Sequence, residues 1–238
     1  MTNNRMLKFL TSSITLIFCL LFVAHFAGRN ILRQYISYGV GDCKSVPILC
    51  MQPDEKALNP EPDKEYIDTL VPQSFPKMSI MAPKGFNLVQ ELIKRKYYKK
   101  RHPDNNAVIY LLYQKPGAFL KLYPDVRKQG INDNYEFIRR LMYANLNKVN
   151  DITDAFFVIM KSIFTPDIGQ QNICRMISFK MVDKRGFVNY TMVKPNNYFD
   201  CNVLDAEGNF FKVYIRDIGG RLDLNKVFTI LSTLKPAE

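Results

Sequence analysis

The sequence predicts an α+β domain, an antiparallel sheet layered with two helices, behind a single N-terminal transmembrane helix. Three observations lead there: an uncharged apolar run near the N-terminus, a series of short apolar segments separated by turn residues, and two amphipathic stripes at helical spacing.

The apolar run comes first. Phe9 to Phe26 (FLTSSITLIFCLLFVAHF) holds 18 residues without a Lys, Arg, Asp or Glu. Taken from Leu7 to Ala27 it approaches the ~20 residues needed to cross ~30 Å of hydrocarbon as a helix. Lipid offers no hydrogen-bond partner to the backbone, so a spanning segment of this length has to be helical. Thr11, Ser12, Ser13 and Thr15 bond back to the preceding turn at little cost. Cleavage by a signal peptidase requires small residues at the processing site, and Phe22 and His25 occupy the wrong places before Ala24 and Ala27. A lipoprotein reading would use Cys19, which follows the bulky Phe18 deep within the run. The expectation is an uncleaved signal anchor that contacts the bilayer through residues 7–27. Arg5 and Lys8 before it are nearly balanced by Arg29 and Arg33 after it. The short lead without acidic residues favours a cytoplasmic N-terminus and an extracytoplasmic domain, as on a bacterial inner membrane facing the periplasm.

Residues 1–38 thus read as anchor and helical extension, in which Ile31, Leu32, Tyr35, Ile36 and Tyr38 carry the helix into the headgroup zone. Residues 39–78 read as a Pro-rich connector. Six of the 13 prolines fall there, which excludes a long helix and leaves room for short helical turns near Lys64 to Leu70. Cys43 and Cys50 face each other across Pro47. In an oxidising compartment they form a structural disulfide; two thiols or a metal or redox pair are the alternatives. A metal site would want tighter spacing and further ligands, and a redox pair has two intervening residues where six stand here. Cys174 and Cys201 fall in strand-like runs. Cys201 alternates with Phe199 and Val203, as a small buried hydrophobe would, although a cross-strand bridge is also open.

Residues 79–238 read as the folded α+β domain. MSIMAPKGFNLV suggests strand, turn and strand. Ala107 to Gln114 is a strand ended by Pro116-Gly117, with Ala118 to Tyr123 as its hairpin partner. Asn132 to Asn147 is a helix: Asp133 caps it, Glu136 completes a capping box, and Tyr135, Ile138, Leu141, Met142 and Leu146 form one stripe. Strands are expected at Ala155 to Phe164, Ile173 to Val182, Gly186 to Val193, Tyr198 to Leu204 and Asn209 to Ile218. Turns fall at Asp183 to Gly186 and Asp205 to Asn209. Leu222 to Leu234 closes the chain with an amphipathic stripe of Leu224, Val227, Phe228, Leu231 and Leu234.

The order of PKGFNLV, AVIYLLYQKPGAFLKLYPD, NDNYEFIRRLMYANL and FFKVYIRDIGGRLDLNKVFTILSTL resembles the PsbP-like family, over about residues 79 to 236. That family comprises extrinsic proteins of the photosystem II oxygen-evolving complex and their bacterial relatives. The resemblance is one of element order and not of diagnostic residues. It implies a non-enzymatic accessory or assembly module on the outer face of a membrane, and carries over no binding residue.

Composition narrows the chemistry. The net charge of +11 favours anionic partners in a general way, and the apolar fraction of 47% excludes disorder over the whole length. The densest basic feature, LIKRKYYKKRH, places Lys94, Arg95, Lys96, Lys99, Lys100 and Arg101 around Tyr97 and Tyr98. It is a candidate docking patch for anionic headgroups or an acidic protein partner, or simply a solvated basic loop. Nucleic acid could use the same cations and rings, but an extracytoplasmic domain does not meet it, so no nucleic-acid partner is expected. His25 and His102 are the only histidines, which disfavours triad or general acid–base chemistry by imidazole. Gly219-Gly220 lacks the Lys-Ser/Thr of a phosphate loop. Asn189-Tyr190-Thr191 matches a glycosylation sequon inside an expected strand. No catalytic residue, metal site or cofactor is expected. The reading is a non-enzymatic, membrane-anchored interaction module within an envelope complex, with a protein partner at the membrane surface. The alternatives are a small-ligand-binding domain and, behind it, a carboxylate-based enzyme.

Overall fold

A computed structural model describes residues 28–237, apart from 55, 76, 85–86, 93–96, 102–107, 166–173 and 194–195. The expected span 7–27 lies outside the described residues. Among these, no helix is long and apolar enough to cross a membrane.

The fold is α+β and antiparallel, as expected, but the described residues hold two sheets and more than two helices. Seven strands form the larger sheet in the order β3-β4-β5-β9-β8-β7-β6. They are β3 (Asn87–Leu92), β4 (Tyr97–Arg101), β5 (Val108–Gln114), β6 (Arg175–Lys180), β7 (Lys184–Val193), β8 (Asn196–Asp205) and β9 (Phe210–Ile218). The smaller sheet, β1-β2-β10, joins β1 (Leu70–Phe75), β2 (Met78–Pro83) and β10 (Lys235–Pro236). The two strands expected in MSIMAPKGFNLV are therefore present but belong to different sheets.

The meander β6–β9 follows its sequence closely. Period-two alternation puts Phe199, Cys201 and Val203 of β8 on one face. The turn expected at Asp183 to Gly186 falls earlier, at Val182 and Asp183, because Lys184 already pairs with Asp205 and Gly186 with Phe179 and Val203 inside β7. At Asp205 to Asn209 the Asp205 carboxylate accepts from Glu207 N and Asn209 N, while Gly208 takes φ 83°. One contact in this region tolerates no side chain at all: a Cβ on Gly186 would lie 1.9 Å from the Asn202 carbonyl oxygen of the neighbouring strand.

Among the described residues six α-helices complete the fold: α1 (28–39), α2 (Lys64–Thr69), α3 (Ala118–Leu122), α4 (Asn134–Tyr143), α5 (Ile152–Phe164) and α6 (Leu224–Ser232). Helix α4 starts as its capping signature requires. Asp133 Oδ1 accepts from Glu136 N at 2.7 Å, and Glu136 reaches back one residue further than a standard capping box, to Asn132 N at 2.5 Å. Asp223 caps α6 in the same way.

Two expected strands are helices. Ala118 to Tyr123 does not pair with β5, whose neighbours are β4 and β9. Phe119 and Leu120 are adjacent and both buried in one cluster, which a strand would send to opposite faces. Ala155 to Phe164 belongs to α5, started by Asp151 accepting from Asp154 N at 2.8 Å. Its buried positions Ala155, Phe157, Val158, Met160 and Lys161 follow helical spacing. The dense Phe, Val and Ile content signals strand locally, and burial between two cores overrides it.

The segment expected as a connector is tied into the domain. It supplies α2 and β1, an isolated bridge from Leu58 to Phe179, and Leu49 as a fully buried core residue.

Both faces of the larger sheet carry a packed core. On one side β1, β2 and α6 enclose Ile80, Phe179, Phe199, Val213 and Phe228. On the other α3, α4 and α5 enclose Phe119, Phe137, Phe157, Phe187 and Phe210. A third, smaller core joins α1 to α5 through Ile36, Leu49, Leu146, Val149, Ala155 and Val158.

Candidate functional site

The junction between α1 and the domain is built from side chains that leave it little freedom. Leu32 and Ile36 of α1 pack on α5 and on the loop around Leu49. Arg33 donates from Nε at 3.2 Å and from Nη2 at 3.1 Å to the Val149 carbonyl, just before α5. Cys43 and Cys50 lie at disulfide distance, with Cα atoms 5.5 Å apart, and close the loop carrying Pro47 and Leu49.

Beneath that loop lies Lys161, with 0% of its surface exposed. Its Nζ donates to the carbonyls of Met51 at 2.5 Å, Met142 at 2.8 Å and Ala144 at 2.9 Å. Three acceptors match the three N–H groups of an ammonium, and two of them stand at the C-terminal end of α4, where a cation is favoured. Burial pushes this ammonium down to about 7, close to neutrality. Lys161 therefore ties the end of α4 to the cysteine loop. A lone Lys inside AFFVIMKSIF is the signal that could have found it; reading the segment as a strand concealed its role.

A second polar cluster lies on the helix-covered side of the larger sheet. Asp200 is completely buried, and Lys212 Nζ approaches its Oδ1 at 2.6 Å and Oδ2 at 2.8 Å. Lys212 also donates to Asn202 Oδ1 at 3.1 Å, and Asn189 Nδ2 donates to Asp200 Oδ2 at 3.1 Å. Burial pushes the Asp200 carboxyl up, while Lys212 and Asn189 pull it back. Beside it, burial raises the Tyr214 phenol to about 12, with a smaller contribution from Tyr198. The two amides, in turn, are oriented by the charges they face, which leaves Asn189 Oδ1 and Asn202 Nδ2 without partners. Asn189 and Thr191 are 0% and 3% exposed, so the sequon is closed to glycosylation in the folded protein.

Two adjoining open clefts flank α4. One, of about 400 Å³, is lined by Gly130, Ile131, Glu136, Arg139, Arg140 and Tyr143. The other, of about 260 Å³, shares Arg140 and Tyr143 and adds Asn145, Lys148, Asn150 and Asp154. Arg140 is already held by Asp154 at 2.8 Å, and Asp154 accepts from Asn150 N at 3.0 Å.

The basic patch is only partly placed. Lys94, Arg95 and Lys96 lie outside the described residues, as does His102. Lys99, Lys100 and Arg101 occupy successive positions of β4, opposite Tyr110, Ile109 and Val108 of β5, and so belong to a paired strand rather than a loop. Cys201 is buried in the sheet between Val188 and Val213 and forms no cross-strand bridge. Among the described residues no three His, Cys, Asp or Glu side chains converge in a metal-binding arrangement. No protein-family model matches the chain. No curated protein matches it either.

Proposed function

We propose that this protein is a membrane-anchored, extracytoplasmic interaction module, non-enzymatic, that presents its domain in a fixed attitude to a protein partner within an envelope complex. The observation carrying this reading is the junction. The uncharged run ends at Ala27, and one residue later the chain is already helix α1, packed on the domain through Leu32 and Ile36 and fastened by Arg33 to Val149. A flexible tether would let a domain search; a clamped one holds it in place. The cysteine pair within the same junction suits an oxidising compartment, hence a cytoplasmic N-terminus and a periplasmic domain. The resemblance to the PsbP-like family, which survives in element order apart from the hairpin partner expected at Ala118 to Tyr123, implies an accessory role of the same kind.

The test is made on membranes from cells producing the full chain. Alkaline extraction should leave the protein in the pellet. A membrane-impermeant maleimide should label Cys43 and Cys50 only after reduction, and cross-linking should capture a stable complex. Recovery of the chain in the soluble cytosolic fraction with both cysteines reduced would overturn the compartment and the role together.

A small-ligand-binding domain is the second reading, favoured by the two clefts that meet at Arg140 and Tyr143. Arg140→Ala would distinguish them: it should leave complex capture unchanged under the first reading and abolish ligand uptake under the second.

A further inference from the structure

Helix α1 has three different sides. At about 100° per residue, Leu32 and Ile36 turn toward the junction core while Asn30, Gln34 and Ser37 make a polar side. Ile31, Tyr35 and Tyr38 fall on the third side, and they are 64%, 76% and 95% exposed. Three large apolar or aromatic side chains on one stripe are more than a surface facing only water ordinarily carries.

We infer that α1 lies along the lipid–water interface, with Ile31, Tyr35 and Tyr38 immersed among the headgroups and Leu32 and Ile36 turned to the domain. Lipid is the occupant because the uncharged run leads directly into this helix and delivers it to the bilayer. Tyrosine suits the position: its ring is apolar and its hydroxyl stays wet. An upright helix would not place the stripe there. At about 1.5 Å per residue Tyr38 would stand about 16 Å beyond Ala27, past a headgroup layer about 5–8 Å deep. Inclined along the interface, α1 wets one edge, greases another and packs the third, as interfacial amphipathic helices do. The domain then rests on the membrane by a defined side. This inference depends on the anchor reading above and specifies the surface that reading leaves open.

The chain contains no tryptophan, so one introduced indole is the sole reporter of its kind. The full chain is reconstituted into phosphatidylcholine–phosphatidylglycerol vesicles in two series, with acyl chains brominated near the headgroups for positions 31, 35, 38 and 182 and near the chain ends for position 18. Single variants carry Phe18→Trp, Ile31→Trp, Tyr35→Trp, Tyr38→Trp or Val182→Trp, the last at a fully exposed turn between β6 and β7. Emission from positions 31, 35 and 38 should be blue-shifted and quenched at least about threefold more than from position 182. If positions 35 and 38 behave like 182 while 18 is quenched, the anchor stands and the interfacial helix is refuted. If position 18 is also unquenched, the anchor itself fails and takes this inference with it.

Discussion

Removing Lys212 should be among the most damaging single changes in the sheet. Its Nζ lies 2.6 and 2.8 Å from the two oxygens of a carboxylate with 0% exposure. Truncation to Met leaves that charge buried with only the Asn189 amide, and it orphans Asn202 Oδ1. Breaking a buried pair from one side costs about 3–5 kcal/mol, because the desolvation of the surviving charge is no longer offset. For a chain of this size, that corresponds to a fall in Tm of about 6–20 °C. The damage should itself depend on pH. Burial already raises the Asp200 carboxyl, and without Lys212 it rises further, so the folded state prefers the protonated acid. A group with a raised folded pKa contributes stability below its unfolded value and loses it as pH climbs through the folded one. The deficit of Lys212→Met should therefore be larger at pH 8 than at pH 5. Replacing both partners, Asp200→Leu with Lys212→Met, removes the stranded charge but leaves both amides short of a partner. The double variant should be more stable than Lys212→Met alone, although less stable than the parent. Urea unfolding of the purified chain in detergent, followed by far-UV circular dichroism, measures all three. A cost below about 1 kcal/mol for Lys212→Met, or strict additivity in the double variant, would refute the reasoning.

The remaining predictions concern the junction and one strand contact. Cys43→Ser with Cys50→Ser opens a short loop and should cost about 2.5 kcal/mol by chain entropy, read as a lower urea midpoint with unchanged slope. Lys161 has its folded pKa depressed to about 7. Between there and the ordinary lysine value the unfolded chain binds more protons, so stability should rise with pH above 7, and Lys161→Met should flatten that rise. Gly186→Ala forces β7 away from the Asn202 carbonyl and should cost about 1–3 kcal/mol, measured by the same unfolding curves.

How far the sequence reveals this fold depends on where each element finds its partners. The meander β6–β9, the turn at Asp205, and the capped helices α4 and α6 are legible because their signals are local: alternation, Gly at positive φ, Asp at an N-cap. Helix α5 is not, since AFFVIMKSIF has strand-like composition and its burial on two sides erases a clear polar face. The smaller sheet is hidden for another reason. Its β2 pairs with residues adjacent in sequence and with others more than 150 positions away, which no local pattern records. The candidate site follows the same rule. Cys43 and Cys50 announce themselves by spacing, whereas the cage around Lys161 and the Asp200–Lys212 pair exist only once distant backbone and strands are brought together.

The chain's last strand sets an order of events. Lys235 and Pro236 pair with Ser79 and Met78, and Ala237 N donates to the Lys77 carbonyl at 3.0 Å. The smaller sheet is thus completed only once residues more than 150 positions downstream of β2 have been made. Until then the Met78–Ser79 edge of β2 lacks its second neighbour, and the core holding Met78 and Ile80 stands open on that side.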